Sequence, residues 1–371
     1  MRRKQKQKQE KIFGIREIYC PPPPIQPEVD IVAVHGLNGS ALGTWTTLDS
    51  GVCWLNDPQF LPKYVKNARV MVWGYNASFS SLTGHVPSND RIHHHAHTLV
   101  ANLAADRRLS GTADKPIIFL CHSLGGIVVK RALTYAQTRT APNITHDHAI
   151  YTHTTAILFF GTPHHGTPKA TWLHHLTKAL AVATLHKLTP FHRPTSNLIP
   201  NLQLNSETLQ NITDAFTPLT SQLRILYLWE MHPTPLLRDY VVPMASAVPP
   251  GDDEAERAGI AADHRGMVRF GDPAAQGFRV VVEALGRYCA EAGEVVRLRR
   301  GEAEGVLWGE RRREVGEVLR GVGFGGGVEK LGMMVPDLVL GRVDERLEEW
   351  MGRTATLRSS GGSNKVKDEE W

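Results

Sequence analysis

The chain has 371 residues, of which 42% are hydrophobic, enough for one large domain or two smaller ones. Its 42 Lys and Arg residues exceed its 37 Asp and Glu residues by five, and no basic stripe with interleaved aromatic residues is present, which argues against nucleic-acid binding. The cysteines at 20, 53, 121 and 289 form no CxxC pair, so their spacing indicates neither a disulfide framework nor a zinc site, and we expect no metal and no cofactor.

The first 24 residues are expected to form a basic tail. The segment 1–11, MRRKQKQKQEK, has no apolar stretch, so it is either a solvated tail or a contact for an anionic membrane surface. It also lacks the hydrophobic segment of a secretory signal peptide, and no apolar run reaches the roughly 18 residues that cross a bilayer. The prolines at 21–24 close the tail because proline does not enter a central strand. These features predict an intracellular protein that is not secreted.

Short apolar runs recur along the chain after these prolines. The runs are VDIVAVHG, ARVMVWGY, KPIIFLCH, TTAILFFG, LRILYLWE and DYVVPMAS. They are nearly continuous rather than alternating, which is typical of strands buried on both faces of a parallel sheet. Helical patterns such as HTLVANLAADRRL and GGIVVKRALTYAQT lie between them, and alternating strands and helices indicate an α/β fold. We therefore expect an α/β domain over 25–290.

Three further segments differ from this pattern. The segment 164–222 is rich in His and Pro and separates the fourth and fifth runs, so it is expected to form a cap or lid insertion. The segment 291–352 is rich in Arg, Glu, Gly and Val, which predicts a helical extension broken by glycines. The polar segment 353–371 is expected to be a disordered tail.

The stretch IIFLCHSLGGIVVKRAL at 117–133 predicts a strand, a sharp turn and a helix, with Ser123 at the apex. In such a strained turn the positions two before and two after the serine pack together, so only small residues fit, hence the pattern G-x-S-x-G. Here those positions hold Cys121 and Gly125. We interpret Cys121 as a compact apolar substitute for glycine rather than as a second nucleophile. The stretch therefore predicts Ser123 as a catalytic nucleophile.

The run DIVAVHGLNGS ends in a glycine-flanked loop after a strand. Such a loop can aim the backbone N–H of Leu37 at a developing oxyanion, with the N–H of Leu124 as the second donor. The alternative is an ordinary glycine turn. The presence of the serine turn elsewhere in the chain favours the oxyanion hole.

A serine nucleophile needs a base, and imidazole is the side chain suited to that role near neutral pH. The chain has 18 histidines. His264, in ADHRGMVRF, is the preferred base because it follows the last predicted strand and completes the chain order serine, acid, histidine. The cluster HHHAH at 93–97 is interpreted as a helix surface, since no HExxH frame accompanies it. The residues expected to line the substrate cleft are His35, Gly36, His122, His164 and His165.

The third member of the triad must be a carboxylate that orients the imidazole. Glu230 ends the run LRILYLWE, the next predicted strand but one after the serine turn, where this type of fold places its acid. Asp239, just before YVVP, is the alternative.

Six blocks taken together resemble the serine-active-site-containing protein family, a group of serine esterases with the α/β-hydrolase fold. The blocks are VHGLNGS…TW, VWGY, PIIFLCHSLGGIVVKRAL, FFGTPHHG, ITDAFTPL…LRILYLWE and VVPMASA…ADHRGMVRF. The resemblance covers about 27–285 and implies Ser123 as nucleophile, His264 as base and Glu230 as acid. It further implies lipid-type ester substrates, phosphatidylglycerol remodelling, and peripheral contact with mitochondrial or endoplasmic-reticulum membranes. Two positions depart from the family pattern, Cys121 in the serine turn and Arg265 after the histidine.

The sequence thus predicts a serine hydrolase of the carboxylic ester class, acting on an acyl ester or a lipid. Acyl transfer to another alcohol would use the same residues. One alternative is a catalytically silent interaction or signalling module, which Cys121 and the charged C-terminal region favour. Another is a membrane-associated lipid binder with an apolar patch around 172–188. The sequence does not identify a protein partner.

Overall fold

The computed structural model describes residues 12–77, 88–164, 211–235, 238–252 and 254–321. The chain divides into two compact units, Met1–Arg300 and Gly301–Trp371, and the sheet lies in the first. The cap predicted for 164–222 is described only at its two ends, and the tail predicted for 353–371 lies outside the described residues.

The first unit is built on a seven-stranded sheet. Its strands are β1 (Gly14–Tyr19), β2 (Val29–Val34), β3 (Ala68–Gly74), β4 (Ile117–His122), β5 (Thr154–Phe160), β6 (Arg224–Glu230) and β7 (Glu256–Ile260). The order across the sheet is β1-β3-β2-β4-β5-β6-β7. The pair β1 and β3 is antiparallel, and every other neighbouring pair is parallel. The predicted, mostly parallel α/β sheet is therefore confirmed.

Helices follow most of the strands. They are α1 (Leu61–Tyr64), α2 (Ser88–Leu109), α3 (Leu124–Gln137), α4 (Thr145–His153), α5 (211–220 of the described residues), α6 (Met244–Ala247) and α7 (Gln276–Gly321), with short 3-10 turns at Pro142–Ile144 and Gly266–Val268. Helix α7 continues without a break to 321, so the glycines at 301, 305, 309 and 316 do not interrupt it, and the rest of the predicted extension 291–352 lies outside the described residues. A glycine inside a helix costs only about 1 kcal/mol, so a few of them weaken a long helix without interrupting it. None of the helices among these residues is both long and apolar enough to cross a membrane.

Side chains of the inner strands are buried on both faces of the sheet. Ile31 lies in a hydrophobic cluster with Phe278 of α7. The next residue, Val32, lies in a second cluster with Leu99 of α2 and Val128 of α3. Each fully buried aliphatic side chain contributes roughly 1.5–3 kcal/mol, so strand residues facing either side stabilise the sheet. This two-sided burial explains why the strands read as continuous apolar runs.

A buried charged cluster lies at the start of β2, at the amino end of the sheet. The carboxylate of Asp30 accepts hydrogen bonds from Nε of Arg69 at 2.8 Å, from Nη1 of Arg107 at 2.7 Å and from Oγ1 of Thr112 at 2.9 Å. Asp30 has no solvent exposure, and both arginines are almost completely buried. The serine turn lies at the opposite ends of the strands, so this cluster is far from it. Its hydrogen bonds join β2 to β3, to α2 and to the segment after α2, which is a structural role.

The two edge strands of the sheet differ from those predicted from the sequence. The run DYVVPMAS was expected to form the sixth strand, but it forms a loop and the short helix α6. Its Val241 and Val242 are buried in a small cluster beside Trp229 without strand pairing. The edge position belongs instead to β7, whose sequence ERAGI is half polar. At the other edge, β1 lies inside the segment 1–24 assigned to a tail, and its GIREIY pattern includes exposed polar residues.

The arrangement is the α/β-hydrolase fold. The sheet is parallel except at one edge, helices cover both faces, and a serine turn joins the inner strand β4 to helix α3. The carboxyl ends of the parallel strands meet at one edge of the sheet, which is where sheets of this kind bind their ligands.

Candidate active site

Ser123 occupies a strained turn between β4 and α3. Its backbone has a φ of 51° and a ψ of −122°, a conformation that is costly for a residue with a side chain. The end of β5 holds the turn: the Ser123 N–H donates to the carbonyl of Phe160 at 2.9 Å, and the Ser123 carbonyl accepts from Oγ1 of Thr162 at 3.1 Å. Strain that neighbouring segments maintain in this way is common at catalytic nucleophiles.

The two glycines after Ser123 allow α3 to start against its neighbours. A Cβ atom on Gly125 would lie 2.5 Å from the carbonyl oxygen of Val34. A Cβ atom on Gly126 would lie 2.3 Å from Oγ1 of Thr162. Either contact is too close for a real side chain, so both positions require glycine.

Cys121 is a core residue of β4. It pairs with Val34 of β2 and Phe159 of β5, and its side chain is fully buried. Burial raises the pKa of the Cys121 thiol well above its usual value, which disfavours the reactive thiolate. Both observations favour a packing role over nucleophilic chemistry.

The loop after β2 contacts the serine turn directly. A Cβ atom on Gly36 would lie 2.8 Å from the Cβ atom of Ser123. The side chains of Leu37 and Leu124 lie in one small hydrophobic cluster with Ile127. The two backbone N–H groups predicted to form the oxyanion hole therefore belong to segments that touch each other beside Ser123.

His35 supports this loop from behind. Its Nδ1 lies 2.9 Å from the carbonyl of Gly36, and its Nε2 accepts from the N–H of Tyr75 at 3.3 Å. The Tyr75 hydroxyl donates to the carbonyl of His35 at 2.9 Å, and the two rings stack at 4.5 Å. Burial lowers the pKa of His35 to about 4, so its imidazole is neutral. His35 was predicted from the sequence to line the cleft, but with 1% exposure it fixes the loop instead.

His264 and Glu230 are brought together at the carboxyl edge of the sheet. Glu230 ends β6 and His264 follows the adjacent strand β7, and Nδ1 of His264 lies 3.4 Å from Oε1 of Glu230. This distance is within ion-pair reach, although the atoms are not aligned as a hydrogen bond. The same Oε1 accepts from the N–H of Val242 at 2.6 Å. Val242 lies in the run mistaken for a strand, and its role in orienting the carboxylate has no signal in the sequence.

The alternative acid, Asp239, is placed differently. It is only partly buried, and its Oδ1 accepts from the N–H of Tyr240 while its backbone carbonyl accepts from Thr234. Of the two candidate carboxylates, Glu230 is the one in contact with His264.

Two neighbours enclose the His264 ring. A Cβ atom on Gly161, whose φ is 54°, would lie 2.9 Å from both Nδ1 and Cε1 of His264. On another side, Nε2 of His122 lies 2.9 Å from the His264 carbonyl, and the two rings are 4.9 Å apart. Because His122 directly precedes Ser123, these contacts bring the loop of His264 against the serine turn.

His164 lies away from this cluster. Its ring contacts Phe159 and Tyr227, each at a centroid distance of 4.7 Å, and it is 2% exposed. It lines a partly open pocket of about 170 Å³ together with Lys130 and Thr213. Its ring is therefore buried among aromatic residues of the core. The neighbouring candidate, His165, lies outside the described residues.

The histidine cluster at 93–97 packs helix α2 against α3. Nδ1 of His93 accepts from Nε of Arg131 at 2.8 Å, and the ring of His97 lies 3.9 Å from that of Tyr135. In the part of the chain that the structure describes, no group of three or more His, Cys, Asp or Glu side chains is arranged to hold a metal ion.

Comparison with known proteins gives weak but consistent similarities. No family model matches the chain. "Protein SERAC1" from Homo sapiens is 25% identical over 262 residues, covering 66% of this chain and 36% of that protein. "Protein SERAC1" from Mus musculus is 26% identical over 241 residues, covering 59% of this chain and 33% of that protein. The chain thus spans about a third of the length of the curated relatives it matches, and these relatives agree with the resemblance drawn from the sequence motifs.

Two solved structures illustrate the structural similarity. The mature Bacillus licheniformis lipase BlEst2 has a TM-score of 0.45 and 17% identity, covering 73% of this chain and 97% of that chain. A structure from work on the carboxylesterases of Nitrososphaera gargenis has a TM-score of 0.40 and 12% identity, covering 75% of this chain and 95% of that chain.

Proposed function

We propose that the chain is a serine hydrolase that cleaves a carboxylic ester with Ser123, His264 and Glu230 as its triad. One observation carries the proposal: a strained serine turn and a buried histidine–carboxylate pair occur at the same edge of the sheet, linked by the contact between His122 and His264. Such a constellation is recognised by geometry and roles rather than by position in the sequence.

In this mechanism the Ser123 hydroxyl attacks the ester carbonyl while His264 accepts its proton. The tetrahedral oxyanion is held by the backbone N–H groups of Leu37 and Leu124, a type of donor worth about 10²–10³ in rate. Collapse expels the alcohol, which takes the proton back from His264. A water molecule then attacks the acyl-enzyme with His264 as base, releasing the acid and free Ser123.

Glu230 acts on His264 rather than on the substrate. A carboxylate beside Nδ1 favours the tautomer with hydrogen on Nδ1, which leaves Nε2 to accept the serine proton, and it stabilises the imidazolium that forms. The Val242 N–H fixes Oε1 of this carboxylate at 2.6 Å. The 3.4 Å separation suits a resting site, since catalytic hydrogen bonds often tighten only when the substrate binds.

The family resemblance supports a lipid or phospholipid ester as the substrate, met at the surface of a mitochondrial or endoplasmic-reticulum membrane. An alcohol that replaces water in the second step would turn hydrolysis into acyl transfer through the same acyl-enzyme.

Hydrolysis of a series of esters tests the proposal. The series runs from p-nitrophenyl acetate to p-nitrophenyl palmitate and includes phospholipid vesicles that carry a fluorescent acyl chain. We expect turnover by the wild type, background rates for Ser123→Ala, and wild-type rates for the matched control Ser221→Ala, which changes an exposed serine. Equal turnover by wild type and Ser123→Ala would refute the triad. A folded wild type that is inert toward the whole series would favour the silent interaction module.

A further inference from the structure

We infer that His122 is a positioning residue, which holds the main chain of His264 at a fixed distance from Ser123. It does so through a hydrogen bond from its Nε2–H to the His264 carbonyl. This inference rests on the proposed function, because it assigns a task within the same site. It also replaces the expectation that His122 only lines the substrate cleft.

The contact joins two segments that must keep a fixed separation. His122 is the last residue of β4, paired with Phe160 of β5, so its backbone is as rigid as the sheet. His264 lies in the loop between β7, an edge strand, and the 3-10 turn at 266–268. The Nε2 of His122 lies 2.9 Å from the carbonyl of His264, and the rings face each other at 4.9 Å with a 40° tilt. An inner strand thereby holds the carbonyl of His264, which lies in the loop between the edge strand β7 and the buried turn at 266–268.

The ring of His122 is enclosed on both sides. A Cβ atom on Gly36 would lie 3.1 Å from its Nδ1, so the backbone of the oxyanion loop lies against that nitrogen. The other nitrogen faces the His264 carbonyl, and the residue is only 8% exposed. His122 therefore touches the oxyanion loop, the serine turn and the base loop, the three segments whose relative positions set the reaction geometry.

The protonation state of His122 suits this task. Burial lowers the pKa of His122 well below its usual value, and repulsion from a positive charge on His264 or on Arg269 acts in the same direction. The hydrogen bond to the His264 carbonyl acts in the opposite direction with a smaller effect. A neutral imidazole with its proton on Nε2 donates to that carbonyl, and it does not add a second positive charge beside the imidazolium that forms on His264 during the reaction.

Two substitutions separate the hydrogen bond from the bulk of the ring. His122→Gln keeps an N–H donor at nearly the reach of Nε2, whereas His122→Leu keeps similar bulk and removes the donor. The readout is the rate of inactivation by a fluorophosphonate probe, measured across pH in the full chain. We expect His122→Leu to react about 10- to 100-fold more slowly, the cost of a misplacement near 1 Å, and His122→Gln to react close to the wild-type rate with an unchanged pH midpoint. Equal rates for wild type and His122→Leu, or equally slow rates for both variants, would overturn the inference.

A second readout does not depend on catalysis. Hydrogen exchange of the backbone amides at 262–268 is expected to be faster in His122→Leu than in wild type and near wild type in His122→Gln; unchanged exchange in His122→Leu would overturn the inference. Thermal unfolding checks that the variants fold, and His122→Met, whose flexible side chain fills irregular space, replaces His122→Leu if that variant does not. A wild type that is not labelled at Ser123 refutes the proposed function, and the exchange data then still decide whether His122 holds the His264 loop.

Discussion

A Cβ atom on Gly36 would lie 2.8 Å from the Cβ atom of Ser123, so the loop after β2 rests directly on the nucleophile turn. Real Cβ atoms do not approach other heavy atoms this closely. Glycine at 36 therefore sets the distance between the Ser123 side chain and the backbone N–H of Leu37, which the proposed mechanism uses to bind the oxyanion.

Substitution of this glycine tests the arrangement. In Gly36→Ala the loop must shift away from Ser123, which withdraws one oxyanion donor and should lower ester turnover about 10²- to 10³-fold. Steady-state kinetics with p-nitrophenyl butyrate measures the effect, and we expect kcat rather than KM to change. The control is Gly286→Ala in α7, where a Cβ atom meets open space, and full turnover is expected there. Wild-type kcat in Gly36→Ala would show that the loop does not bind the oxyanion.

The choice between the two carboxylates gives a second prediction. Glu230→Gln removes the charge 3.4 Å from Nδ1 of His264 and allows the wrong imidazole tautomer, so kcat should fall by a factor on the order of 10⁴. Asp239→Asn, at the partly buried alternative, should leave kcat unchanged. The same kinetic assay compares them. A large loss in Asp239→Asn with little loss in Glu230→Gln would exchange their roles.

The buried charges at the opposite end of the sheet yield a stability prediction. Asp30→Asn leaves the guanidinium groups of Arg69 and Arg107 buried without their carboxylate, which should lower the free energy of unfolding by about 3–5 kcal/mol. Urea unfolding measures this loss. The control Glu17→Gln removes a 45% exposed carboxylate 3.6 Å from Arg69 and should change stability by less than about 1 kcal/mol. Similar losses in both variants would contradict the structural role of the cluster.

Buried neutral histidines predict a loss of stability in acid. Burial lowers the pKa of both His35 and His153 from 6.5 to about 4. The unfolded chain therefore binds more protons than the folded chain between these values, so stability is full above pH 6.5 and declines as the pH falls toward 4. His153→Gln, remote from the serine turn, should make this decline shallower in urea titrations between pH 7 and 5. An unchanged slope in the variant would contradict a neutral, buried His153.

The interpretation of Cys121 as a packing residue is open to a direct test. Cys121→Ala should lower the free energy of unfolding by about 1 kcal/mol, as expected for a small cavity in the core. Ester turnover per folded molecule should stay at the wild-type level, because the thiol is buried and protonated. Two results together would instead identify Cys121 as the nucleophile. They are loss of turnover in Cys121→Ala and labelling of a thiol by the probe in Ser123→Ala.

The sequence predicts the middle of the sheet well and its edges poorly. Strands β2 to β6 bury both faces, so each leaves a continuous apolar run that is visible without a structure. Strands β1 and β7 bury less, and their sequences GIREIY and ERAGI resemble ordinary polar segments. The valines of DYVVPMAS lie in a loop that packs against Trp229 of β6 and are buried there. Their apolar pattern in the sequence is the same as that of a buried strand, so periodicity does not distinguish the two.

The candidate site also has some features that the sequence predicts and others that it does not. The serine turn and the Gly36 loop are local sequence patterns, and the order serine, acid, histidine along the chain identifies His264 as the base. The hydrogen bonds from Val242 to Glu230 and from His122 to His264 join segments that meet only in the folded chain, so no spacing encodes them. Among so many histidines, burial decides their roles: it makes His35 a loop support and places His164 in the core.

The most direct test of the central claim is the site of modification by a fluorophosphonate probe, located by tandem mass spectrometry in wild type, Ser123→Ala and His264→Ala. The account predicts an adduct on Ser123 in the wild type, none in Ser123→Ala, and much slower labelling in His264→Ala. A folded wild type without an adduct, or an adduct that persists in Ser123→Ala, would contradict it.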